Sequence, residues 1–427
     1  MGIVGLGYVG LVTAVALASV GNEIIGIDVD SEKIAKLRQG IPTIYEPGLE
    51  DLFKRFVRNM QFSTDYRDLK GAEVVYLIVP TPTVNGKIDL HYVFEAAGNV
   101  KKANPEAVLA IKSTVVPGTA RKVHEQTGMQ VVSNPEFTRE GSAIEDTLKP
   151  DRVVIGGSDE KAVELVAGIW SFTNAPIIKT TNENAELIKY ASNAFLATKI
   201  SFINEIANLC EKIPGADVDT VAMGMGLDKR IAPYFLKAGI GYGGSCFPKD
   251  TKAIAEYARE KGERLSIVEA AMEVNEKRIE RVVERARLIA KKLGKEKARV
   301  GVLGVAFKDS TDDVRESQAL KLINALLQEG FEVTAYDPIV KASDKIKGIS
   351  QAGSKEACIN AADFVIVATE WPEFKGLEEK TDKPIIDARR ILDAGKENVF
   401  AIGSGKYAEE EKKLSEKANA KRGKVKA

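Results

Sequence analysis

The 427-residue chain is poor in histidine and cysteine: only His91, His124, Cys210, Cys246 and Cys358 are present. Neither histidine lies beside a recognisable motif, so a mechanism that depends on histidine as general base is disfavoured. The cysteines are odd in number, far apart and without a Cys-x-x-Cys pair, which argues against a disulfide framework and a thiolate zinc site. We therefore expect no metal centre and a reducing, cytoplasmic location.

The chain also lacks net charge, because its 61 basic and 61 acidic residues cancel. Nothing in this balance favours a nucleic acid or an anionic membrane as partner, whereas a small charged ligand remains open. The uncharged stretch before Glu23 approaches the ~20 residues that a membrane span requires. It has no basic segment ahead of it, it contains Gly5, Gly7 and Gly10, and a strand pattern follows directly. We expect a buried strand, turn and helix there, and no membrane association.

Short apolar runs alternate with helical patterns over residues 1–180, for example "GIVGLG", "EIIGIDVD" and "AEVVYLIVP". This alternation is typical of an α/β domain with a largely parallel sheet. A long helix is predicted to begin at a capping box formed by Thr180 and Glu183 and to continue to the break at Pro214. Further helices are predicted over residues 216–294, and a second α/β pattern then begins with "VGVLGVAF".

These patterns predict an α/β protein with two Rossmann-like doubly wound domains, joined by a helical middle domain that contains the long helix. The length alone suggests two or three domains. We place the boundaries so that the domains are residues 1–182, 183–294 and 295–427. The tail from Gly405 is rich in Lys and Glu, and we expect it to be a loosely attached helix or disordered.

A dinucleotide-binding fingerprint follows the first predicted strand. Gly5, Gly7 and Gly10 have the G-x-G-x-x-G spacing, which allows a tight turn, approach of the backbone to a pyrophosphate, and close packing of helix on strand. Asp28 ends the next strand, where a carboxylate can accept hydrogen bonds from ribose hydroxyls and repel a 2′-phosphate. The combination predicts an NAD site rather than an NADP site.

The second α/β pattern carries only a reduced version of this fingerprint. Gly301 and Gly304 are present without the third glycine, although Asp337 ends the following strand in a comparable place. A degenerate second nucleotide site and a duplicated structural domain without a ligand are equally compatible with this spacing.

Cys246 lies in the turn "GYGGSCFPKD", behind Gly243 and Gly244 and ahead of Lys249 and Asp250. The glycines could bring backbone N–H groups close to the sulfur, while the lysine and the aspartate add a cation and an acid/base group. A small buried cysteine at a tight turn is the common alternative. The ten residues alone do not decide between a reactive and an inert thiol.

Two pairs of polar residues are spaced by four. Lys189 and Asn193 on the long helix share one face, and Lys189 follows apolar residues that point to a partly buried ammonium group, although a solvated surface lysine is commoner. Glu136 and Glu140 lie just beyond a strand of the first domain. Helical geometry would place both near the carboxyl edge of the sheet, where ligands bind in such folds.

Together these segments resemble the nucleotide-sugar dehydrogenases of the UDP-glucose/GDP-mannose dehydrogenase family, and most closely its members that act on UDP-glucose. The resemblance covers nearly the whole chain in the expected order: "GLGYVG", "GIDVD", "VPTPT", "STVVPGT", "NPEFTREGSAIEDTLKPDRVVIG", "ELIKYASNAFLATKISFINE", "RIAPYFLKAGIGYGGSCFPKD" and "FKDSTDDVRES". The chain departs from the family's pattern in a short amino end with Gly2 and in Tyr234.

The resemblance implies oxidation of the primary alcohol of UDP-glucose to the carboxylate of UDP-glucuronate, with two NAD⁺ and one water. It implies that Cys246 captures the intermediate aldehyde as a thiohemiacetal, which is then oxidised to a thioester and hydrolysed. It gives catalytic roles to six residues: Cys246, Lys189, Asn193, Asp250, Thr114 and Glu136.

The resemblance also implies two sets of binding residues. The NAD contacts are Gly5, Gly7, Tyr8, Val9, Gly10, Asp28, Lys33, Thr81, Thr114, Glu140, Lys249 and Arg315. The substrate contacts are Glu136, Phe137, Glu140, Lys189, Asn193, Arg230, Phe235, Leu236, Lys237, Gly241, Lys308 and Arg389. Arg230 matches an arginine that reaches into the neighbouring subunit's site, so a homodimer is expected.

Three other functions stay open at this point. GDP-mannose 6-dehydrogenase activity is the nearest alternative, because that enzyme carries a similar cysteine motif. A non-catalytic sugar-nucleotide-binding protein of the same fold would be expected to lack the thiol or Lys189, and neither is lost. A simple 2-hydroxy-acid dehydrogenase would be expected to use a catalytic histidine, which the low histidine content disfavours.

Overall fold

The computed structural model describes residues 1–84, 86–295, 297–406 and 408. The chain forms two compact units, one made of Met1–Asn193 and Lys252–Arg264 and the other of Ala194–Thr251 and Leu265–Ala427. Most of the tail after Gly405, for which the sequence predicts a loose helix or disorder, lies outside the described residues.

The first unit is built on an eight-stranded sheet in the order β10-β9-β8-β7-β4-β1-β2-β3. A separate two-stranded hairpin, β5 and β6, follows β4. The strands are β1 (Gly2–Val4), β2 (Ile24–Ile27), β3 (Met60–Ser63), β4 (Val74–Leu77), β5 (Thr83–Val84), β6 (Lys87–Ile88), β7 (Val108–Ile111), β8 (Val131–Ser133), β9 (Val153–Gly156) and β10 (Ile177–Thr180).

Six strands of this sheet follow the doubly wound 3-2-1-4-5-6 order, since β3, β2, β1, β4, β7 and β8 are parallel neighbours. Such strands are buried on both faces, and β1 and β4 accordingly consist of residues buried throughout. β9 runs antiparallel to β8 and parallel to β10. The predicted parallel α/β domain is confirmed.

Seven α-helices belong wholly to the first unit. They are α1 (Tyr8–Ser19), α2 (Ser31–Arg38), α3 (Leu49–Phe56), α4 (His91–Ala103), α5 (Thr119–Thr127), α6 (Ala143–Leu148) and α7 (Glu160–Trp170). α1 opens directly at the glycine fingerprint and is buried from Gly10 to Ala18, so the apolar amino-terminal run is part of the domain core.

The predicted long helix is α8 (Asn182–Cys210), with 29 residues. Its start differs by one residue from the prediction, because the hydroxyl of Thr181 rather than Thr180 accepts the backbone N–H of Asn184, at 3.2 Å. α9 (Val218–Gly226), α10 (Phe247–Glu260) and α11 (Ser266–Lys292) complete the helical region.

The second unit contains a six-stranded, wholly parallel sheet in the order β13-β12-β11-β14-β15-β16, again the 3-2-1-4-5-6 order. Its strands and helices are β11 (Arg299–Leu303), α12 (Gln318–Gln328), β12 (Glu332–Tyr336), β13 (Ser350–Gln351), α13 (Lys355–Ala361), β14 (Phe364–Val367), β15 (Ile385–Asp387) and β16 (Val399–Ala401). Short 3₁₀ helices occur at Val57–Asn59, Tyr66–Leu69, Ser171–Thr173, Ala342–Asp344, Pro372–Phe374 and Leu377–Glu379. The predicted fold class, with two Rossmann-like sheets and a helical middle region, is confirmed.

Glycine is required at the same place in both sheets. Gly5 follows β1 with φ +92°, and a Cβ there would overlap the carbonyl oxygen of Ile78 on the neighbouring chain segment. Gly304 follows β11 with φ +93°, and a Cβ there would overlap the Thr369 side chain. Both turns therefore need the left-handed conformation and a close approach that only glycine provides.

None of the helices in the described ranges is long and apolar enough to cross a membrane.

Candidate functional site

In the first unit, predicted site residues follow the carboxyl ends of neighbouring strands. The set comprises Gly5 after β1, Asp28 after β2, Thr81 after β4, Thr114 after β7 and Glu136 after β8. Ligands of open α/β sheets bind at this edge, where the strand order reverses between β1 and β4. The sheet topology thus brings residues that are far apart in sequence to one edge.

The turn after β1 fits a dinucleotide. A Cβ at Gly10 would overlap the carbonyl oxygen of Gly5, whereas no atom lies near the position of a Cβ at Gly7. The carboxylate of Asp28 accepts hydrogen bonds from Leu6 N and Lys33 Nζ, both at 2.8 Å. Because this carboxylate is buried and tied to the glycine turn, its position at the end of β2 is fixed. These residues fit NAD.

Tyr8, in the fingerprint, lies against a buried carboxylate that is not part of it. Its hydroxyl hydrogen-bonds Glu46, and Glu46 also accepts the N–H groups of Gly141 (2.7 Å) and Ala143 (2.6 Å). Burial, with the adjoining Glu46, raises the pKa of Tyr8. Glu46 therefore fastens the start of α1 to the segment that follows Glu140.

Thr81 and Thr114 are brought together across the sheet edge, because the hydroxyl of Thr81 donates to the carbonyl oxygen of Thr114 at 2.9 Å. Val9 is half-buried at the start of α1. Three residues assigned to NAD by the resemblance therefore lie near the ends of β1, β4 and β7.

Glu136 and Lys189 form a buried ion pair, with 2.9 Å between Oε1 and Nζ. Burial alone would raise the pKa of the Glu136 carboxyl, but the charge and hydrogen bond of Lys189 and two hydrogen bonds from Thr138 outweigh it, and the pKa is lowered. Glu136 is thus held as a carboxylate, and the ammonium group of Lys189 is kept in place beside it.

The predicted helical geometry of Glu136 and Glu140 is wrong. Residues 134–141 are irregular, between β8 and α6. The carboxylate of Glu136 turns back to accept the N–H (2.6 Å) and hydroxyl (2.9 Å) of Thr138, a local arrangement that competes with a helix. Within this segment, Phe137 lies under the guanidinium of Arg152, at 3.8 Å, and 5.5 Å from Lys189 Nζ.

Asn193 is buried on α8, one turn after Lys189, as the four-residue spacing predicts. The surface-lysine alternative for Lys189 is therefore wrong: its ammonium group is buried and paired.

In the second unit, Cys246 immediately precedes α10, and its carbonyl oxygen accepts the N–H of Asp250 at 2.8 Å. Its sulfur is half-buried and 3.6 Å from the hydroxyl of Ser245. A position at a helix N-terminus favours the thiolate form. In the first turn of α10, Lys249 Nζ lies 2.6 Å from the buried Asp250 carboxylate.

The other two cysteines are inert by comparison. Cys210 and Cys358 are buried. Burial raises the pKa of Cys210, and it raises the pKa of Cys358 to about 12. Cys246, by contrast, is partly exposed.

The glycines before Cys246 are explained by packing. A Cβ at Gly243 would overlap the carbonyl oxygen of Glu316, and one at Gly244 would lie 2.8 Å from the Phe307 ring. Gly244, with φ +81°, also donates its N–H to the carbonyl oxygen of Arg315 at 3.0 Å. The cysteine turn is therefore built against the segment after β11.

The predicted substrate segment, residues 235–241, lies in the same unit. The Phe235 ring packs near that of Phe247, with centroids 6.1 Å apart, and Leu236 is buried. Lys237 pairs with Glu370, at 2.5 Å, at the carboxyl end of β14. The segment therefore touches the edge of the second sheet where a ligand would bind.

Arg389 packs against this segment at Gly239. A Cβ added to Gly239 would lie 3.4 Å from Nη1 of Arg389. Arg389 donates to the carbonyl oxygens of Ala368 (2.8 Å) and Phe307 (3.1 Å), next to Lys308. Burial lowers the pKa of Arg389, although Glu370 opposes this effect. Arg389 thus joins the ends of β11, β14 and β15.

Two further predicted contact residues have exposed side chains. The side chain of Arg230 is 89% exposed, and its guanidinium pairs with Asp228 at 2.6 Å. Arg315 pairs with Asp313 at 2.6 Å, and its side chain is also largely exposed.

Asp337 does not repeat the role of Asp28. Its carboxylate accepts four backbone N–H groups, from Val305, Ala306, Ile339 and Val340, and the indole N–H of Trp371. A carboxylate occupied in this way supports the local fold around the second glycine turn, with more local partners than Asp28 has.

Three family models match the chain: the NAD-binding domain of the UDP-glucose/GDP-mannose dehydrogenase family over residues 1–173, its central domain over 183–277, and its UDP-binding domain over 301–394. The chain belongs to this family. The first match contains the fingerprint and Asp28, and the NAD prediction is confirmed. The third contains Lys308 and Arg389, and it favours a nucleotide-binding role over a purely structural one for the second Rossmann unit.

Curated relatives match over most of their length. UDP-glucose 6-dehydrogenase TuaD of Bacillus subtilis is 42% identical over 417 residues, which cover 94% of this chain and 89% of the relative. UDP-glucose 6-dehydrogenase of Rhizobium meliloti is 42% identical over 396 residues, covering 88% and 90%.

Solved structures agree with this family. A UDP-glucose dehydrogenase from Pyrobaculum islandicum has a TM-score of 0.87 and 38% identity, with coverage of 94% of this chain and 96% of that one. A UDP-D-ManNAc dehydrogenase from Pyrococcus horikoshii has a TM-score of 0.85 and 30% identity, with coverage of 95% and 100%.

Sequence reasoning missed two buried titratable groups in the first unit of this family member. Glu186 accepts the N–H groups of Gly118 (2.6 Å) and Ala120 (2.8 Å) at the start of α5, and burial raises its pKa to about 7. Lys112 lies with Nζ 4.5 Å from the Trp170 ring centroid, and burial lowers its pKa to about 8. For Glu186 the sequence did hold a signal, because its three-residue spacing from Lys189 places both side chains on one face of α8.

Proposed function

We propose that this chain is a UDP-glucose 6-dehydrogenase that converts UDP-glucose, two NAD⁺ and one water into UDP-glucuronate and two NADH. The buried pair of Lys189 and Glu136, at the sheet edge that carries the dinucleotide fingerprint, is the geometric observation that carries this conclusion. The substrate is supported by relatives named UDP-glucose 6-dehydrogenase, which are about 40% identical over most of the chain.

Bound NAD⁺ supplies the hydride acceptor for both oxidations. The chain's own task is to hold C6 of the sugar and to manage its charge. Loss of a hydride from C6 and of a proton from its hydroxyl gives an aldehyde, and Sγ of Cys246 adds to that carbon to form a thiohemiacetal. Loss of a second hydride from C6, together with the proton of the C6 hydroxyl, leaves a thioester. Water then breaks the C–S bond and releases the uronate and the thiol.

Charge stabilisation and proton transfer are proposed for five polar residues. The ammonium group of Lys189 and the amide of Asn193 stabilise oxygen anions at C6, because preorganised donors in a buried site need no reorganisation during the reaction. Asp250 and Thr114 move protons through a water, and Glu136 assists the hydrolytic water. The low pKa of Glu136 keeps it able to accept a hydrogen bond from that water.

We propose two sets of binding residues. For NAD we propose the fingerprint turn with Asp28, Lys33, Thr81, Thr114, Glu140, Lys249 and Arg315. For the sugar nucleotide we propose Glu136, Phe137, Glu140, Lys189, Asn193, Phe235, Leu236, Lys237, Gly241, Lys308 and Arg389. The range of the UDP-binding family model supports placing the nucleotide at the second unit. The ranges of the three family models likewise support domains at 1–182, 183–294 and 295–427.

We also propose a homodimer in which Arg230 serves the neighbouring subunit's site. Phe195, Phe202 and Leu209 are 65%, 45% and 56% exposed, and their seven-residue spacing places them on one face of α8. An exposed apolar stripe of this kind marks a surface for another protein. The largely exposed guanidinium of Arg230 can reach beyond its own chain. The odd number and wide spacing of the cysteines support a cytoplasmic location.

The test is to supply the enzyme with NAD⁺ and one sugar nucleotide at a time. We expect about two NADH per UDP-glucose consumed, as the reaction requires, and UDP-glucuronate as the product. GDP-mannose and UDP-N-acetylmannosamine are the competing arms. A higher kcat/KM with either of them would overturn the substrate assignment, and one NADH per substrate would overturn the four-electron reaction.

A further inference from the structure

Three polar side chains are buried between two helices of the second unit. Asn204 lies on α8, and Asn275 and Arg278 lie on α11; they are 0%, 6% and 1% exposed. All three side chains form hydrogen bonds with the backbone of residues 239–242. These residues end the segment proposed to bind the sugar nucleotide and begin the cysteine turn.

Gly239 is held on both sides of its Cα, through its N–H and its carbonyl group. Its N–H donates to Oδ1 of Asn204 at 2.8 Å, and its carbonyl oxygen accepts from Nε of Arg278 at 2.9 Å. Arg278 also donates to the carbonyl oxygen of Asn204 (3.3 Å) and to Oδ1 of Asn208 (2.5 Å), which fixes the guanidinium on α8. The position of Gly239 is therefore set by side chains on two helices.

Asn275 holds the next peptide units in the same way. Its amide accepts the N–H of Tyr242 at 2.8 Å and donates to the carbonyl oxygen of Tyr242 at 3.1 Å. Gly241 has φ +106°, and a Cβ there would lie 2.5 Å from Oδ1 of Asn275. The turn is pressed against the asparagine so closely that only glycine fits.

Burying the charged guanidinium of Arg278 is unfavourable for stability, and the packing of its side chain does not explain why an arginine stands there. Among the described residues no carboxylate lies within ion-pair distance of its guanidinium, and burial lowers its pKa to about 10. Apolar residues of similar size often stabilise a core as well as buried ions do or better. The guanidinium is anchored on α8 by its hydrogen bonds to Asn204 and Asn208, and its Nε donates to the carbonyl oxygen of Gly239. A buried cation held in this way is suited to fixing the backbone at Gly239.

We propose that Arg278 and Asn204 are positioning residues for substrate binding: by holding the carbonyl group and the N–H of Gly239, they keep segment 235–241 in the shape that receives the sugar nucleotide. The proposal rests on the assignment of that segment to the substrate. Arg389 lies on Gly239 as well, so a shift of this glycine also displaces a residue proposed to contact the substrate. Neither Arg278 nor Asn204 needs to touch the substrate.

The test compares Arg278→Met and Asn204→Ala with Arg285→Met in the full-length enzyme. Arg285 lies seven residues after Arg278 on the same helix and is also buried, but it is paired with Glu211. All three variants are expected to have a lower melting temperature. Only Arg278→Met and Asn204→Ala are expected to raise KM for the sugar nucleotide, by about tenfold and several-fold, which is the scale of one lost charged or neutral hydrogen bond. KM for NAD⁺ should change less than about twofold, and Arg278→Lys should recover part of the loss because it restores one donor.

Lys237→Ala separates the two proposals, because it changes the substrate segment itself. If Lys237→Ala raises KM for the sugar nucleotide while folded Arg278→Met and Asn204→Ala do not, the positioning role is wrong and the segment assignment stands. If Lys237→Ala has no effect, the segment assignment and the positioning role that rests on it both fall. An equal rise in KM in Arg285→Met would show a general effect of destabilisation and would also overturn the positioning role. The sugar nucleotide used is the one that the wild type oxidises fastest.

Discussion

Lys189 Nζ and Glu136 Oε1 lie 2.9 Å apart in a buried ion pair that joins α8 to the carboxyl edge of the first sheet. The pair has two effects that can be separated. It holds a carboxylate and an ammonium group ready at the proposed reaction centre, and it satisfies two buried charges that would each be costly alone.

Lys189→Met should reduce kcat on the order of 10²- to 10³-fold, because it removes a preorganised donor to developing negative charge. It should also cost about 3 to 5 kcal/mol of unfolding free energy, because Glu136 is left buried without its partner. The double variant Glu136→Gln/Lys189→Met should recover most of that stability and none of the activity. Denaturant unfolding and steady-state kinetics measure both, and a double variant as unstable as the single one would mean that the pair is not coupled.

Cys246→Ala should abolish uronate formation while binding of NAD⁺ and UDP-glucose survives, because only the covalent step needs the sulfur. The matched control is Cys210→Ala/Cys358→Ala, which removes the two buried thiols. That control should retain activity, and iodoacetamide should inactivate it as it does the wild type. Full turnover by Cys246→Ala, measured by chromatography of the sugar nucleotides, would rule out the thioester.

Asp28→Ala should lower the preference for NAD⁺ over NADP⁺ at least about tenfold, because a carboxylate that accepts ribose hydroxyls also repels a 2′-phosphate. The change also releases Lys33, whose Nζ is held by Asp28 at 2.8 Å and would become available to a phosphate. The ratio of kcat/KM for the two cofactors is the measurement. An unchanged ratio would mean that Asp28 supports the turn at Leu6 without contacting the cofactor.

The strands and their edge residues can be predicted because their signals are local. Alternating apolar runs, the glycine spacing and an acid at a strand end are sufficient to predict that Gly5 and Asp28 lie at one edge of a parallel sheet. The helical spacing of Lys189 and Asn193 is equally reliable, since both lie within one long helix.

The rest depends on contacts distant in sequence. The spacing of Glu136 and Glu140 predicts a helix. The segment is irregular instead, because Glu136 accepts hydrogen bonds from Thr138 and Glu46 accepts the backbone N–H of Gly141. Glu46 accepts backbone N–H groups that are 95 and 97 residues away in sequence, and Glu186 accepts ones that are 66 and 68 residues away. No local pattern predicts such partners. The role of Asp337 likewise depends on its four backbone donors, since its position in sequence matches that of Asp28.

Glu186 should make stability depend on pH. Burial raises its pKa to about 7 in the folded chain, so the folded state binds a proton more tightly than the unfolded state, whose carboxyl titrates near its ordinary value. The stabilisation is therefore fully present below about pH 4.5 and is lost as the pH rises to about 7. The unfolding free energy of the wild type relative to Glu186→Gln should fall by on the order of 3 kcal/mol between pH 4.5 and pH 8. Glu183→Gln, an exposed carboxyl one turn earlier, is the control, and an equal change there would point to a general charge effect.

Arg230 should complement a cysteine variant across a dimer interface. Arg230→Ala and Cys246→Ala homodimers should each be inactive or nearly so. In a co-expressed mixture, half of the dimers are mixed. If Arg230 serves the neighbouring site, one of the two sites in each mixed dimer has both residues intact, so activity should recover to about a quarter of the wild-type value.

Phe202→Asp, on the exposed face of α8, should shift sedimentation to the monomer and abolish the recovery when it is added to both chains, because a carboxylate in an apolar interface is unfavourable. Absence of recovery in mixed dimers that are shown to form would place Arg230 in its own subunit's site or in none.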